Sequence, residues 1–246
     1  MSKRFLLALS LIIFISKSAL FAQDKLLENR IVQTKKDTKT YTVQSLEGKT
    51  VKVKVLPDYV HRILNVICLT DTVKVFDYWG VPPEISYLSK QFLQLNYSVR
   101  GGSNIGLGNS LIICASNGKL HEALHLLRYA HWESELVKTY DVKLVFLNYK
   151  KDQVLMTSIR DKSHSSSNPE TNYDYTSTSN LHFDKKLKVF YSIKKDIYDT
   201  LKVVDPNRTY KRKIQGNFPT VILEDNIYVF IGGQWFEYDK DTISKF

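Results

Sequence analysis

The chain has 246 residues, 43% of them hydrophobic and 12% aromatic, with a formal net charge of +10 and only two cysteines. That length supports one sizeable core or two small ones, and two cysteines exclude a disulfide-dense scaffold. The basic excess is spread over Lys35-Lys36, Lys185-Lys186-Lys188, Lys194-Lys195 and Arg208 to Lys213, which reads as solvated faces able to attract acidic glycans or anionic lipid heads. No nucleic-acid-binding module is recognisable, so nucleic acid is not an expected partner.

Residues 1-22 have the layout of a secretory signal peptide. Lys3 and Arg4 form the charged region, Leu6 to Ile15 the apolar run, and Leu20-Phe21-Ala22 offers a small residue before Gln23. The apolar run is shorter than the roughly 20 residues of a spanning helix, and nothing later repeats it, so no transmembrane segment is expected in the mature chain. The expectation is an exported protein, periplasmic or extracellular, with residues 23-246 as a single β-rich domain.

From residue 41 onward, short runs of β-branched and aromatic residues alternate with turn residues. Tyr41-Thr42-Val43 and Val51 to Val55 flank Glu47-Gly48-Lys49 as a hairpin. Pro57 to Leu69 reads as a helix, because Val60, Ile63, Leu64 and Ile67 recur at helical spacing. Strand signals resume at Val73 to Phe76, Phe92 to Val99, Asn109 to Cys114, Val142 to Asn148, Val154 to Ile159, Leu187 to Ile193 and Val221 to Leu223. Ile227 to Ile231 and Gln234 to Tyr238 flank Gly232-Gly233 as a last hairpin. Asp161 to Asn180, rich in Ser, Thr and Asn, reads as a mobile surface loop at 161-180. The predicted fold is mainly β, with α+β as the variant: an antiparallel meander of short strands and hairpins with one or two helices.

Gly101-Gly102 and Gly106 to Gly108 fit neither the dinucleotide fingerprint nor a P-loop, and the segment reads as a flexible connection. Cys68 and Cys114 could close a loop of roughly 45 residues as one disulfide; each also lies in an apolar run where a buried thiol fits. Trp79, Trp132 and Trp235 are the residues that could stack on sugar rings.

The sharpest chemical signal is His121-Glu122-Ala123-Leu124-His125. On a helix, histidines four apart share a face and can hold one zinc, with the intervening glutamate as general base. His131 lies six residues beyond the second histidine. The stretch His121 to His131 resembles the active-site helix of the metzincin peptidases, which implies His121, His125 and His131 as zinc ligands, Glu122 as catalytic base and Met156 as the candidate for the methionine turn. It departs from that pattern at Arg128, where the family has glycine. The residues themselves also admit a second reading: Asn117-Gly118 between apolar runs is a hairpin turn, which makes Leu120 to Leu127 a returning strand.

Two functions follow. The first is a non-catalytic binding or interaction module whose partner is a protein or a cell-surface glycan, with no cofactor. The second is a zinc-dependent peptidase using the motif at 121-125 with His131.

Overall fold

A computed structural model describes residues 23, 25–149, 152–192, 220–223, 226–231 and 234–238. Residues 1–22, expected to be a signal peptide, the expected turn at Gly232-Gly233 and the basic run at 208–213 lie outside the described residues. The first described element is a helix, α1 (25–37), in a segment whose sequence suggests no element. Among the described residues, fifteen strands follow. They are β1 (Lys39–Gln44), β2 (Thr50–Asp58), β3 (Ile63–Cys68), β4 (Asp71–Val75), β5 (Glu84–Tyr87), β6 (Phe92–Val99), β7 (Ile105–Ser116), β8 (Lys119–Trp132), β9 (Leu136–Tyr149), β10 (Asp152–Ser165), β11 (Tyr173–Asp184), β12 (Val189–Tyr191), β13 (Thr220–Leu223), β14 (Asn226–Ile231) and β15 (Gln234–Tyr238). No helix among the described residues is long and apolar enough to cross a membrane.

Within each sheet the strands pair with their sequence neighbours, as an antiparallel meander. One sheet has the order β1-β2-β3-β4, a second runs β12-β11-β10-β9-β8-β7-β6-β5, and a third is β13-β14-β15. The expected mainly β architecture is therefore the observed one.

Two expectations about local structure are corrected. Residues 57–69 are not a helix. Leu64, Val66 and Cys68 are each fully buried at every second position, so the apolar set has a period of two and belongs to β3. Arg62, at φ 58°, reverses the chain between β2 and β3. Residues 161–180 are not a loop either. Asp161 pairs with Tyr175 and Ser163 with Tyr173, so most of the segment is the end of the long β10–β11 hairpin, closed by a single 3-10 turn at Pro169–Thr171. Threonine and tyrosine suit a pleated surface, and the Asn172 side-chain oxygen accepts the Ser165 amide at 2.6 Å to tie the turn.

The two large sheets make two cores. Val53, Val55, Leu64, Val66 and Cys68 of the four-stranded sheet pack on Leu93, Leu95, Leu111 and Ile113 of the eight-stranded one. Burial of each such side chain stabilises by about 1.5–3 kcal/mol. The opposite face of β6 to β8 carries Phe92, Ile112, Cys114 and Leu124, which pack with Leu155, Ile159, Leu181 and Phe190. Phe92 sits at the centre of that second core, with ring centroids of Phe183, Phe190 and Phe146 at 4.8, 5.2 and 5.6 Å. Because β6 thereby meets β9, β11 and β12, the eight-stranded sheet is rolled onto itself. Cys68 and Cys114 belong to different cores and are both free thiols. Burial pushes Cys114 up to about 12, so it behaves as a small apolar side chain.

Candidate functional site

The motif at 121–125 lies on β8, which returns from β7 through Asn117-Gly118. Both turn residues have positive φ, 51° and 76°, as a two-residue hairpin turn requires. The strand reading of this segment is the one observed, and the helix implied by the metzincin resemblance does not form.

On a regular strand His121 and His125 would still share a face, since they are four residues apart. A bulge prevents it. Glu122 pairs with Ile113 and Leu124 with Ile112, leaving Ala123 as an extra residue. A bulge of this kind adds one residue to one strand and breaks the alternation. Ala123 and Leu124 consequently both point into the second core. His121, opposite Cys114, faces that core's side, whereas Glu122 and His125 face the other side, toward Asp77 and Tyr97.

There they enter a polar cluster. The Tyr97 hydroxyl shares a hydrogen bond with His125 Nε2 and donates to Asp77 Oδ1 at 3.1 Å. Asn109 Nδ2 donates to Asp77 Oδ2 at 3.0 Å and approaches the Tyr97 hydroxyl at 3.4 Å. Tyr97 and Asn109 form the buried floor; Asp77, Glu122 and His125 are half-buried at its rim. Burial, aided by the negative charge of Asp77, pushes the Glu122 carboxyl up to about 7. Burial also holds the Tyr97 phenol well above its ordinary value, with the Asp77 charge adding to it, so Tyr97 stays protonated. Apart from the motif's glutamate and second histidine, none of these residues was marked by sequence reasoning. They come from β6, β7 and the segment after β4, and no local spacing connects them.

His121 is half-buried, and its Nε2 makes no hydrogen bond with any described residue. Burial lowers its basicity and the nearby Lys188 charge lowers it further. His131 lies near the end of β8, with Nε2 3.7 Å from the Glu133 carboxylate. The three proposed zinc ligands therefore do not converge: His121 and His125 project from opposite faces of one strand, and His131 sits a further six residues along it. Among the described residues no group of three or more His, Cys, Asp or Glu side chains is placed to hold a metal ion. As placed on β8, these histidines do not offer zinc one shared site. Met156 lies in the middle of β10, paired with Val145 and Asn180.

Of the tryptophans, Trp132 packs at the edge of the second core, Trp79 is exposed, and the Trp235 side chain lies outside the described residues. His61 bonds Asp58 at 2.7 Å, and His164 and His182 are exposed.

A second feature is an open face. Residues directly opposite each other in a sheet project to the same side, and here two such rows cross four strands. Tyr129, Asp141, Arg160 and Thr176 form one, and His131, Thr139, Lys162 and Asp174 the next. Thr139, Asp141, Arg160, Lys162 and Thr176 of these rows, with Lys143 and Ser158, line a shallow hollow of about 410 Å³. Arg160 and Lys162 both reach Asp174, at 3.0 and 2.7 Å, and their charges and hydrogen bonds hold its carboxyl at about 2. The intervening residues Tyr140, Val142 and Ile159 are buried in the core behind, so the face is rigidly backed. Gly106 and Gly108 of β7 leave room beside it, with the Tyr129 ring lying over Gly106.

No family model matches the chain, and comparison with curated proteins and with solved structures gives no match either.

Proposed function

We propose that the protein is an exported, non-catalytic binding module that holds an extended polar ligand, protein or cell-surface glycan, across the outer face of β9 to β11. The observation that supports this reading is the pair of directly opposed rows around the hollow, Asp141-Arg160-Thr176 and Thr139-Lys162-Asp174. A ligand crossing the strands meets alternating donors and acceptors at the inter-strand spacing of about 4.8 Å. The scaffold holds these side chains in place, so little ordering entropy is lost on binding. The peptidase reading has no such support, because it needs His121 and His125 on one metal.

The test is binding to whole cells and to purified cell-surface polysaccharide, comparing the wild-type protein with an Arg160→Ala, Lys162→Ala double variant. Loss of two charge-assisted contacts is expected to weaken binding about tenfold or more. Equal binding by the two proteins contradicts the assignment of the face.

A further inference from the structure

At the far end of the four-stranded sheet, Arg62 and Arg100 converge on one exposed indole. The Arg62 guanidinium carbon lies 4.3 Å from the Trp79 ring centroid and that of Arg100 5.7 Å from it, both within cation–π range. The arrangement is built rather than incidental. Arg62 occupies the left-handed region at φ 58°, an uncommon conformation for a residue with a side chain. Its stem passes Gly80, where an added Cβ would sit 3.9 Å from Arg62 Cγ. Trp79 is fixed in turn by its amide, which donates to the Ser98 carbonyl at 2.8 Å.

The two guanidinium groups share one ring, and a paired carboxylate would be the ordinary companion of each. Neither has a hydrogen bond or ion pair with any described residue. The acids nearest in sequence are engaged elsewhere. Asp58 accepts the amides of Val60 and His61 on Oδ1 and bonds the His61 ring through Oδ2. Asp77 accepts from Tyr97 and Asn109. A guanidinium attracted to an aromatic ring in this way keeps N–H groups that suit capture of an oxyanion.

We infer that Arg62, Trp79 and Arg100 form an oxyanion clamp for the carboxylate or sulfate groups of an acidic polysaccharide. The exposed part of the indole offers an apolar surface to the sugar ring, and the clamp's two cations match a chain bearing repeated charges. The clamp stands independently of the outer face of β9 to β11.

The experiment labels the protein with 5-fluorotryptophan, assigns the Trp79 fluorine resonance with a Trp79→Phe variant, and titrates four probes. These are a heparin oligosaccharide, an oligogalacturonate, a neutral dextran of equal length and inorganic phosphate. The clamp predicts that at least one acidic oligosaccharide shifts the Trp79 resonance while dextran does not. Arg62→Gln and Arg100→Gln each weaken that binding by about tenfold, and Arg62→Lys, which keeps the charge and loses the plane, falls between. Unchanged Trp132 and Trp235 resonances in the variants establish that they fold. The Arg160→Ala, Lys162→Ala variant retains the Trp79 shift, separating this site from the other face. Absence of a shift with both acidic oligosaccharides, or a shift that survives both glutamine variants, overturns the clamp. Phosphate shifting Trp79 as strongly as the oligosaccharides at equal anion concentration overturns the polysaccharide as its ligand.

Discussion

Glu122 and His125 lie on the same side of β8, although they are three positions apart, because Ala123 is the extra residue of a bulge opposite Ile112 and Ile113. This one residue separates the motif's two histidines and brings its glutamate and second histidine toward Tyr97 and Asp77.

The pH dependence of stability follows from the same placement. Glu122 titrates at about 7 in the folded protein and near its ordinary 4.5 when unfolded, so the folded state binds more protons between those values. Stability therefore falls as pH rises through that window, by on the order of 2–3 kcal/mol after allowance for partial exposure. Urea unfolding at pH 5 and pH 8 measures it. Glu122→Gln is expected to flatten the difference and to be the more stable protein at pH 8.

Tyr97 holds the cluster together through one hydroxyl. Tyr97→Phe keeps the ring in the first core and leaves His125 Nε2 without that partner, while Asp77 retains Asn109. The expected cost is about 1–2 kcal/mol, read from the urea midpoint. A Tyr97→Phe protein as stable as wild type would mean that the hydroxyl is not bonded as described.

The cysteines sit in separate cores. Alkylation under denaturing, non-reducing conditions should modify both Cys68 and Cys114, and a reducing agent should leave the melting temperature unchanged. A fully protected pair would instead establish the disulfide.

Much of the fold was legible in the sequence. The turns at Glu47-Gly48-Lys49 and Asn117-Gly118 carry their backbone requirement in the residues themselves, since Gly48, Asn117 and Gly118 all take positive φ. Val51 to Val55 showed the in–out alternation that the sheet uses. The segment 57–69 misled because Val60, Ile63, Leu64 and Ile67 fit a helical period while Leu64, Val66 and Cys68 fit a period of two; packing against β2 and β4 decided between them. At 161–180 the hydroxyl-rich composition resembled a loop, but cross-strand pairing with the first half of the hairpin makes it strand. The site was less legible. A single-residue bulge leaves no sequence mark, and the contacts of Tyr97 with Asp77, Asn109 and His125 span 12 to 28 positions along the chain.

The most direct test of the account is the metal content of protein purified without chelators or metal-affinity resin. Zinc per chain is measured by mass spectrometry for wild type, His121→Ala and His125→Ala, before and after adding zinc back. With the two histidines on opposite faces of β8, zinc should stay far below one per chain in all three proteins. One zinc per chain, lost in both variants, would contradict the bulged strand and restore the peptidase.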